Sequence, residues 1–238
     1  MKKYLWAILI LLLAACGSST TTEEKPKEEP KQSEQAQEKE ETVEEEPKED
    51  ETPRDKAEET GEWEEADFGK IKIAGVGYND EVGIDGTDSP GKPIEMGPMK
   101  LFIDSVAVLD IEPTDEAVES FFDGKKKVKA VIMDMKTENT SDGDMTFYPE
   151  NSQIVTNTGE QVDSEMLLTD EIGGDFLGKV KKEGQAWWIL KDPDKEITSI
   201  KMVIHPPYTS DAYEDEGEEK RLEFEVLSFE EAKKKDGI

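Results

Sequence analysis

The sequence predicts a mainly β protein, an antiparallel β-sandwich with one short helix. Six apolar runs of strand length, several of which alternate with polar side chains at the two-residue period of a strand, cover residues 68–76, 99–111, 128–137, 186–190, 197–204 and 222–227. Turn residues separate these runs, among them Asp-Gly, Ser-Pro-Gly, Gly-Gly and Asp-Pro. Several short strands joined by such turns are typical of an antiparallel sandwich.

The strands differ in their expected burial. In residues 222–227, Leu222, Phe224 and Val226 alternate with charged residues, which predicts one buried face and one face in water. Residues 128–137 are apolar on both faces in their middle. That pattern predicts a central strand that is covered on both sides.

One segment between the strands has the pattern of a helix. Thr114 is a suitable N-cap, and Asp115 and Glu116 place negative charge in the first turn. Gly124 marks the expected end, and the lysines after it lie where a helix C-terminus favours cations. The expected buried stripe consists of Ala117, Val118, Phe121 and Phe122.

Residues 1–15 have the features of a lipoprotein signal peptide. Lys2 and Lys3 precede an apolar run of about ten residues, too short to span a bilayer. The segment ends in Leu-Ala-Ala-Cys, and Cys16 is the one cysteine of the chain. This ending resembles the bacterial lipobox, which implies a diacylglyceryl group on Cys16 and a cell-membrane location on the extracytoplasmic face. Two acyl chains would make that anchor stable.

Residues 16–62 predict a disordered acidic tether, followed by one domain over residues 63–238. Residues 17–62 contain 18 acidic and 7 basic residues, and Val43 is the one larger apolar side chain among them. Such a segment cannot bury enough apolar surface to offset the entropy of ordering.

The formal net charge of −30 restricts the partners of the chain. Phosphate backbones and anionic headgroups are repelled, so nucleic-acid binding is disfavoured. A cationic partner, a divalent cation or plain solubility each remains as an explanation of the charge.

Three segments follow one another in the second half of the chain: VKAVIMDMKTENTSD from Val128, FYPENSQIVTNTGEQ from Phe147, and GQAWWIL from Gly184 before a proline turn and ITSIKMVIHPP. Their order resembles the telokin-like, immunoglobulin-fold lipoproteins of Gram-positive bacteria, which are related to the immunoprotective extracellular proteins of mycobacteria. The resemblance implies an immunoglobulin-like sandwich and brings no catalytic residues with it.

The sequence offers little support for catalysis. His205, the single histidine, stands beside two prolines at the end of a strand, with no nucleophile motif next to it. A zinc site built from cysteine and histidine is excluded by their number. Carboxylates are so abundant that no pair among them indicates glycoside hydrolysis. We therefore expect a protein that is not an enzyme.

Calcium is the metal that the acidic loops favour. One loop contains Asp80, Asp85 and Asp88, and a second contains Asp211 and Asp215. Oxygen-rich loops suit a hard cation, although neither loop has the spacing of an EF-hand. Solvated, charged loops without a metal are the alternative.

Aromatic residues offer a candidate partner surface. Trp187 and Trp188 are adjacent, so on a strand they point to opposite faces. One is expected in the core. The other is expected either at a packed edge or in an exposed patch, together with Phe147 and Tyr148 or with Tyr208 and Tyr213.

These features predict a lipid-anchored extracytoplasmic protein. Its immunoglobulin-like, non-enzymatic domain would be presented to another protein or to a cell-envelope polymer. The alternative is an envelope protein that binds calcium or responds to cations. No cofactor other than calcium is expected, and the sequence does not indicate which residues would contact a partner.

Overall fold

The computed structural model describes residues 59–87 and 91–237. The predicted signal peptide, Cys16, most of the predicted tether and Asp88 lie outside the described residues. The helices are α1 (Asp115–Phe121) and α2 (Phe229–Asp236), with a 3-10 turn at Pro149–Asn151. The strands are β1 (Glu62–Glu65), β2 (Gly69–Tyr78), β3 (Ile94–Met96), β4 (Met99–Pro113), β5 (Val128–Asn139), β6 (Met145–Phe147), β7 (Gln153–Thr156), β8 (Gln161–Val162), β9 (Gly174–Phe176), β10 (Lys181–Leu190), β11 (Ser199–Ile204), β12 (Tyr208–Thr209) and β13 (Lys220–Ser228).

Two antiparallel sheets make up the architecture. The larger is a curled sheet of ten strands in the order β10-β5-β4-β2-β13-β11-β7-β8, with β1 beside β2 and β3 beside β4. The smaller sheet has the order β12-β6-β9. Each of the six predicted runs forms a strand, so the mainly β class and the antiparallel arrangement are confirmed.

Strand β5 lies at the centre of the packing and is buried on both faces, as predicted. Val131 and Met133 enter the larger of two hydrophobic clusters, whereas Ala130 and Ile132 enter the smaller one on the opposite face. The neighbouring strand β4 shifts register between Ile103 and Ser105, which is a β-bulge.

The larger core is enclosed between the two halves of the curled sheet and the small sheet. Met133 and Trp188 come from the β5–β10 half, and Phe224 comes from the β13 half. Phe147 and Phe176 of the small sheet fill the same cluster. The small sheet is therefore held by its inner side chains, and only its outer face is left toward solvent.

The smaller core lies beneath α1. Thr114 caps this helix as predicted, because its hydroxyl accepts a hydrogen bond from the amide of Ala117 at 3.1 Å. Phe122 is buried against Phe68, whose ring also packs against Trp187. The predicted buried stripe is wrong at Phe121. This last residue of the helix points toward water, and its side chain is 37% exposed.

A second helix, α2, was not expected from the sequence pattern. Ser228 and Glu231 form a capping box at its start, and Gly237 ends it with a positive φ of 73°. The helix packs on β2, where the Tyr78 hydroxyl donates to both carboxylate oxygens of Asp236 at 3.0 and 3.1 Å. Among the described residues, neither helix is long and apolar enough to cross a membrane.

The first described residues already contact the domain. The ammonium of Lys233 donates to the carbonyl oxygen of Glu59 at 2.9 Å. A side chain at Gly61 would begin 2.9 Å from the ring of Phe229, so that position has room for glycine alone. The predicted boundary at residue 63 stays a prediction.

The tryptophan pair gives a matched test of the core. The Trp188 indole donates to the carbonyl oxygen of Ser152 at 2.9 Å, so Trp188→Phe removes ring volume and leaves a buried acceptor without this donor. We expect Trp188→Phe to lower the free energy of unfolding by about 1–3 kcal/mol more than Trp187→Phe. Urea denaturation of both variants measures the difference, and equal losses would contradict the assigned role of the bond.

Candidate interaction face

The outer face of the small sheet carries a row of polar and aromatic side chains. Tyr208 of β12 is paired with Thr146 of β6, which in turn is paired with Asp175 of β9. The Thr146 hydroxyl donates to the carboxylate of Asp175 at 2.7 Å and lies 2.9 Å from the Ser210 hydroxyl. This network joins all three strands, so the row is fixed by main-chain and side-chain bonds together.

A tight turn after β12 places a second tyrosine on Tyr208. The amide of Tyr213 donates to the carbonyl oxygen of Thr209 at 2.9 Å, and the amide of Thr209 donates to the carbonyl oxygen of Glu214 at 3.0 Å. Tyr213 has a positive φ of 56°, a conformation that non-glycine residues seldom adopt. The two tyrosine rings stack with centroids 5.8 Å apart and an interplanar angle of 27°. Tyr213 remains 76% exposed.

Tyr148, directly after β6, completes the exposed aromatic set. Its side chain is 45% exposed. A side chain at Gly174 would begin 4.0 Å from the Tyr148 ring and 3.3 Å from the Lys182 ammonium, and Gly174 has a φ of +97°. Glycine suits this position because of its positive φ, and a side chain here would crowd the Lys182 ammonium. We call the surface formed by Tyr148, Tyr208, Tyr213 and Asp175 the tyrosine face.

The tyrosine face lies in a field of negative charge. The segment from Ser210 to Glu219 contains six carboxylates and no basic residue.

Burial of part of the Tyr148 ring raises the pKa of its hydroxyl, and the nearby Tyr208 and Asp175 raise it further. The hydroxyl therefore stays protonated and neutral at physiological pH.

Two basic side chains that follow β9 and the acidic segment in the sequence are paired with carboxylates. Lys179 lies 3.1 Å from Asp142, and Arg221 lies 2.8 Å from Glu219. Glu219 is thus partly neutralised, whereas no ion pair joins Asp175, Asp211 or Glu214 to a basic side chain among the described residues.

A buried carboxyl lies behind the tyrosine face. Glu150, in the 3-10 turn after Tyr148, is 8% exposed, and its Oε2 has no hydrogen-bond partner among the described residues. Burial raises the pKa of this carboxyl, while the amides of Glu150 and Gly173 and the charge of Lys182 oppose that rise.

The predicted calcium ligands occupy separate loops. Asp85 accepts hydrogen bonds from the amide and hydroxyl of Thr87, at 3.0 and 2.6 Å. The carbonyl of Asp80 accepts from the ammonium of Lys92 at 2.7 Å. Over residues 59–87 and 91–237, no three acidic, histidine or cysteine side chains form a group that could hold a metal ion. Asp88 lies outside those ranges, and calcium binding stays a prediction.

The second predicted loop has a different arrangement. Asp215 forms an isolated β-bridge with Tyr208, which closes the turn that carries Tyr213. Asp211 is exposed on the same turn. These two residues therefore lie at the tyrosine face, where the sequence predicted a metal site of its own.

The predicted aromatic patch is only partly correct. Trp187 and Trp188 point to opposite faces as expected, but both are buried, at 4% and 0% exposure, because both faces of β10 are covered. Phe147 is buried as well, because it points inward from β6. Of the other residues of the predicted patch, Tyr148 and Tyr213 are exposed and Tyr208 is half-buried.

The histidine considered for catalysis is exposed, whereas a serine–carboxylate pair is buried elsewhere in the sheet. His205 is exposed after β11, with its Nδ1 3.8 Å from a Glu219 carboxylate oxygen. The Ser105 hydroxyl does donate to a carboxylate, that of Asp134, but the bond spans neighbouring strands inside the protein. The amide of Gln185 donates to the other oxygen of Asp134 at 2.9 Å. Burial raises the pKa of Asp134.

No protein-family model matches the chain. The chain is similar to an uncharacterized, SPbeta prophage-derived lipoprotein of Bacillus subtilis, YonS, with 29% identity over 117 residues, covering 44% of this chain and 58% of YonS. The match thus spans less than two thirds of that relative. The resemblance of the chain to the telokin-like family stays a prediction.

Two solved structures of bacterial proteins resemble the domain. A functionally unknown protein of Listeria monocytogenes has a TM-score of 0.42 at 10% identity, over 66% of this chain and 87% of that one. The YjhA protein of Bacillus subtilis has a TM-score of 0.33 at 13% identity, over 48% of this chain and 79% of its own.

The buried Glu150 predicts a pH dependence of stability. Because its pKa is raised in the folded protein, the folded state holds the proton more tightly than the unfolded state. This contribution is fully present below the ordinary carboxyl pKa, and it is lost as the pH rises through the raised value.

We therefore expect Glu150→Gln to raise the melting temperature at pH 8 and to change it little near pH 4. Thermal melts across this range measure the effect. Glu171→Gln is the matched control, because Glu171 also lies near Lys182 but its side chain is 87% exposed. An equal gain in both variants would show that general charge, and not burial of Glu150, is the cause.

Proposed function

We propose that this protein is an extracytoplasmic lipoprotein that displays a non-enzymatic β domain and binds a partner through the tyrosine face. Two exposed tyrosines, Tyr148 and Tyr213, beside the half-buried Tyr208 of a hydrogen-bonded sheet are the observation that carries the binding part. Tyrosine is enriched at protein interfaces because it combines a large apolar area with a polar tip. The lipobox-like sequence before Cys16 and the similarity to a protein named as a lipoprotein support the anchoring part.

The rigidity of the face supports binding without rearrangement. Tyr208 lies within a strand, and Tyr213 is held on it by the turn and by the bridge from Asp215. Side chains that are already ordered lose less conformational entropy when a partner arrives. A fixed aromatic surface therefore retains more of its contact energy as affinity.

In this proposal, the lipid anchor holds the domain on the extracytoplasmic side of the membrane. A diacylglyceryl group at Cys16 would contribute about 0.8 kcal/mol per buried methylene, and two chains together hold a protein stably on a bilayer. Strand β1 begins at Glu62, well after Cys16 in the sequence. The intervening acidic segment would be repelled by anionic headgroups, which keeps the domain away from the lipid surface.

The anchor is tested by Cys16→Ala. We expect the variant to move from the membrane fraction into the medium, because no thiol remains to receive the lipid. Fractionation followed by immunoblotting measures the distribution, and Cys16→Ser, which also lacks the thiol, should behave in the same way. Retention of both variants in the membrane would contradict lipid anchoring through this residue.

The binding face is tested by photo-cross-linking on intact cells. We expect the photoreactive residue p-benzoylphenylalanine at position 213 to give one recurrent adduct that disappears when Tyr208→Ala is added. The same residue at Met166, which is 83% exposed on another loop, is the matched control. Identical adducts from both positions, or adducts that persist without Tyr208, would contradict a specific face.

A further inference from the structure

We propose that the tyrosine face binds a lysine- or arginine-bearing segment of another protein, an inference that rests on the function proposed above. The face combines exposed aromatic rings with carboxylates at the same place. A cation over the face of a tyrosine ring is attracted by the negative charge of the ring's π system. Carboxylates beside the ring attract the same cation over a longer range.

The arrangement of the rings favours a cationic chain over a flat apolar surface. Tyr208 and Tyr213 are stacked, so Tyr213 presents its outer ring face to solvent. Tyr148 is exposed beside the same strand row, on the side of β9. An extended segment that crosses the row could place one basic side chain at the stacked pair and another near Tyr148.

The charge of the domain adds to this preference. Residues 63–238 contain 41 acidic and 20 basic residues, a net charge of −21. On the face itself, Asp175 and the exposed residues Asp211 and Glu214 surround the tyrosines. An anionic segment would be repelled here, whereas a cationic one would be guided toward the face.

The chain uses the same chemistry within its own fold. The ammonium of Lys235 lies 4.1 Å from the centroid of the Tyr78 ring, and that of Lys182 lies 5.0 Å from the Phe176 ring. Among the residues that the structure describes, no lysine or arginine covers Tyr148, Tyr208 or Tyr213 in this way. The exposed rings of Tyr148 and Tyr213 are therefore open to a cation from a second protein.

The deciding experiment separates ring contacts from the general attraction of an acidic protein. The full-length chain in detergent is titrated calorimetrically with an octapeptide of alternating lysine and serine, at about 0.15 M salt. The matched peptide has every lysine acetylated, and a neutral oligosaccharide forms a third arm. Tyr208→Ala/Tyr213→Ala keeps the net charge of the protein, so nonspecific attraction is unchanged.

We expect the lysine peptide to bind the wild type and to lose about fivefold to thirtyfold in affinity on the double alanine variant. The acetylated peptide should bind weakly to both proteins. Tyr208→Phe/Tyr213→Phe should retain the affinity, because the rings remain. Met166→Ala/Leu167→Ala, which removes exposed side chains elsewhere, should leave the affinity unchanged. Thermal melts confirm that each variant is folded.

Three results would overturn the inference. Equal affinity of the lysine peptide for wild type and the double alanine variant would show nonspecific attraction. Loss of affinity in the double phenylalanine variant would show that hydroxyl contacts, not ring faces, are used. Binding of the acetylated peptide or the oligosaccharide in place of the lysine peptide would show a neutral ligand. In each case a Tyr208-dependent adduct at position 213 would still uphold the proposed function.

Discussion

The burial of β5 on both faces is the constraint on which the rest of the structure depends. Because neither face of this strand meets water, the sheet must be covered on both sides. One side is covered by the curling of the sheet itself, which brings Phe224 and Trp188 into one cluster. The other is covered by α1, where Phe122 and Trp187 both pack against the ring of Phe68. The two hydrophobic cores therefore lie on opposite faces of β5 and of its neighbours β4 and β10, and each tryptophan of the β10 pair belongs to a different core.

A long strand at the end of a sheet exposes unpaired backbone groups, and β10 is protected against this by a loop. The amides of Glu165 and Asp170 donate to carbonyls of β10 at 2.6 and 2.8 Å. The hydroxyl of Thr169 and the carboxylate of Asp170 accept from β10 amides in return, at 3.0 and 2.8 Å. The loop thus replaces a further strand with individual hydrogen bonds, and another chain cannot readily pair with this edge.

The strands were predictable because each long one carries an apolar pattern, and Thr114 and Gly124 marked the helix between them. The shorter elements were not, since strands of two to four residues are too short to show a period. Helix α2 buries only Phe229 and Ala232, so its apolar stripe is too weak to detect, although Ser228 and Glu231 form a visible capping box. Within the tyrosine face, Tyr208 and Tyr213 were identified as candidates from the sequence. Their stacking depends on a turn in which Tyr213 has a positive φ, and no sequence pattern predicts that turn.

The acidic turn that carries Tyr213 combines charge repulsion with an unfavourable backbone conformation. Six carboxylates between Ser210 and Glu219 repel one another, and Tyr213 adds an unfavourable backbone conformation. The turn persists because main-chain bonds fix it, including the bond from the amide of Glu216 to Pro207 at 2.7 Å. Glu216 also packs against Gly97, where a side chain would begin 2.8 Å away. A partner of opposite charge would relieve the repulsion without altering these bonds, so binding would stabilise the turn in the conformation that already presents the ring.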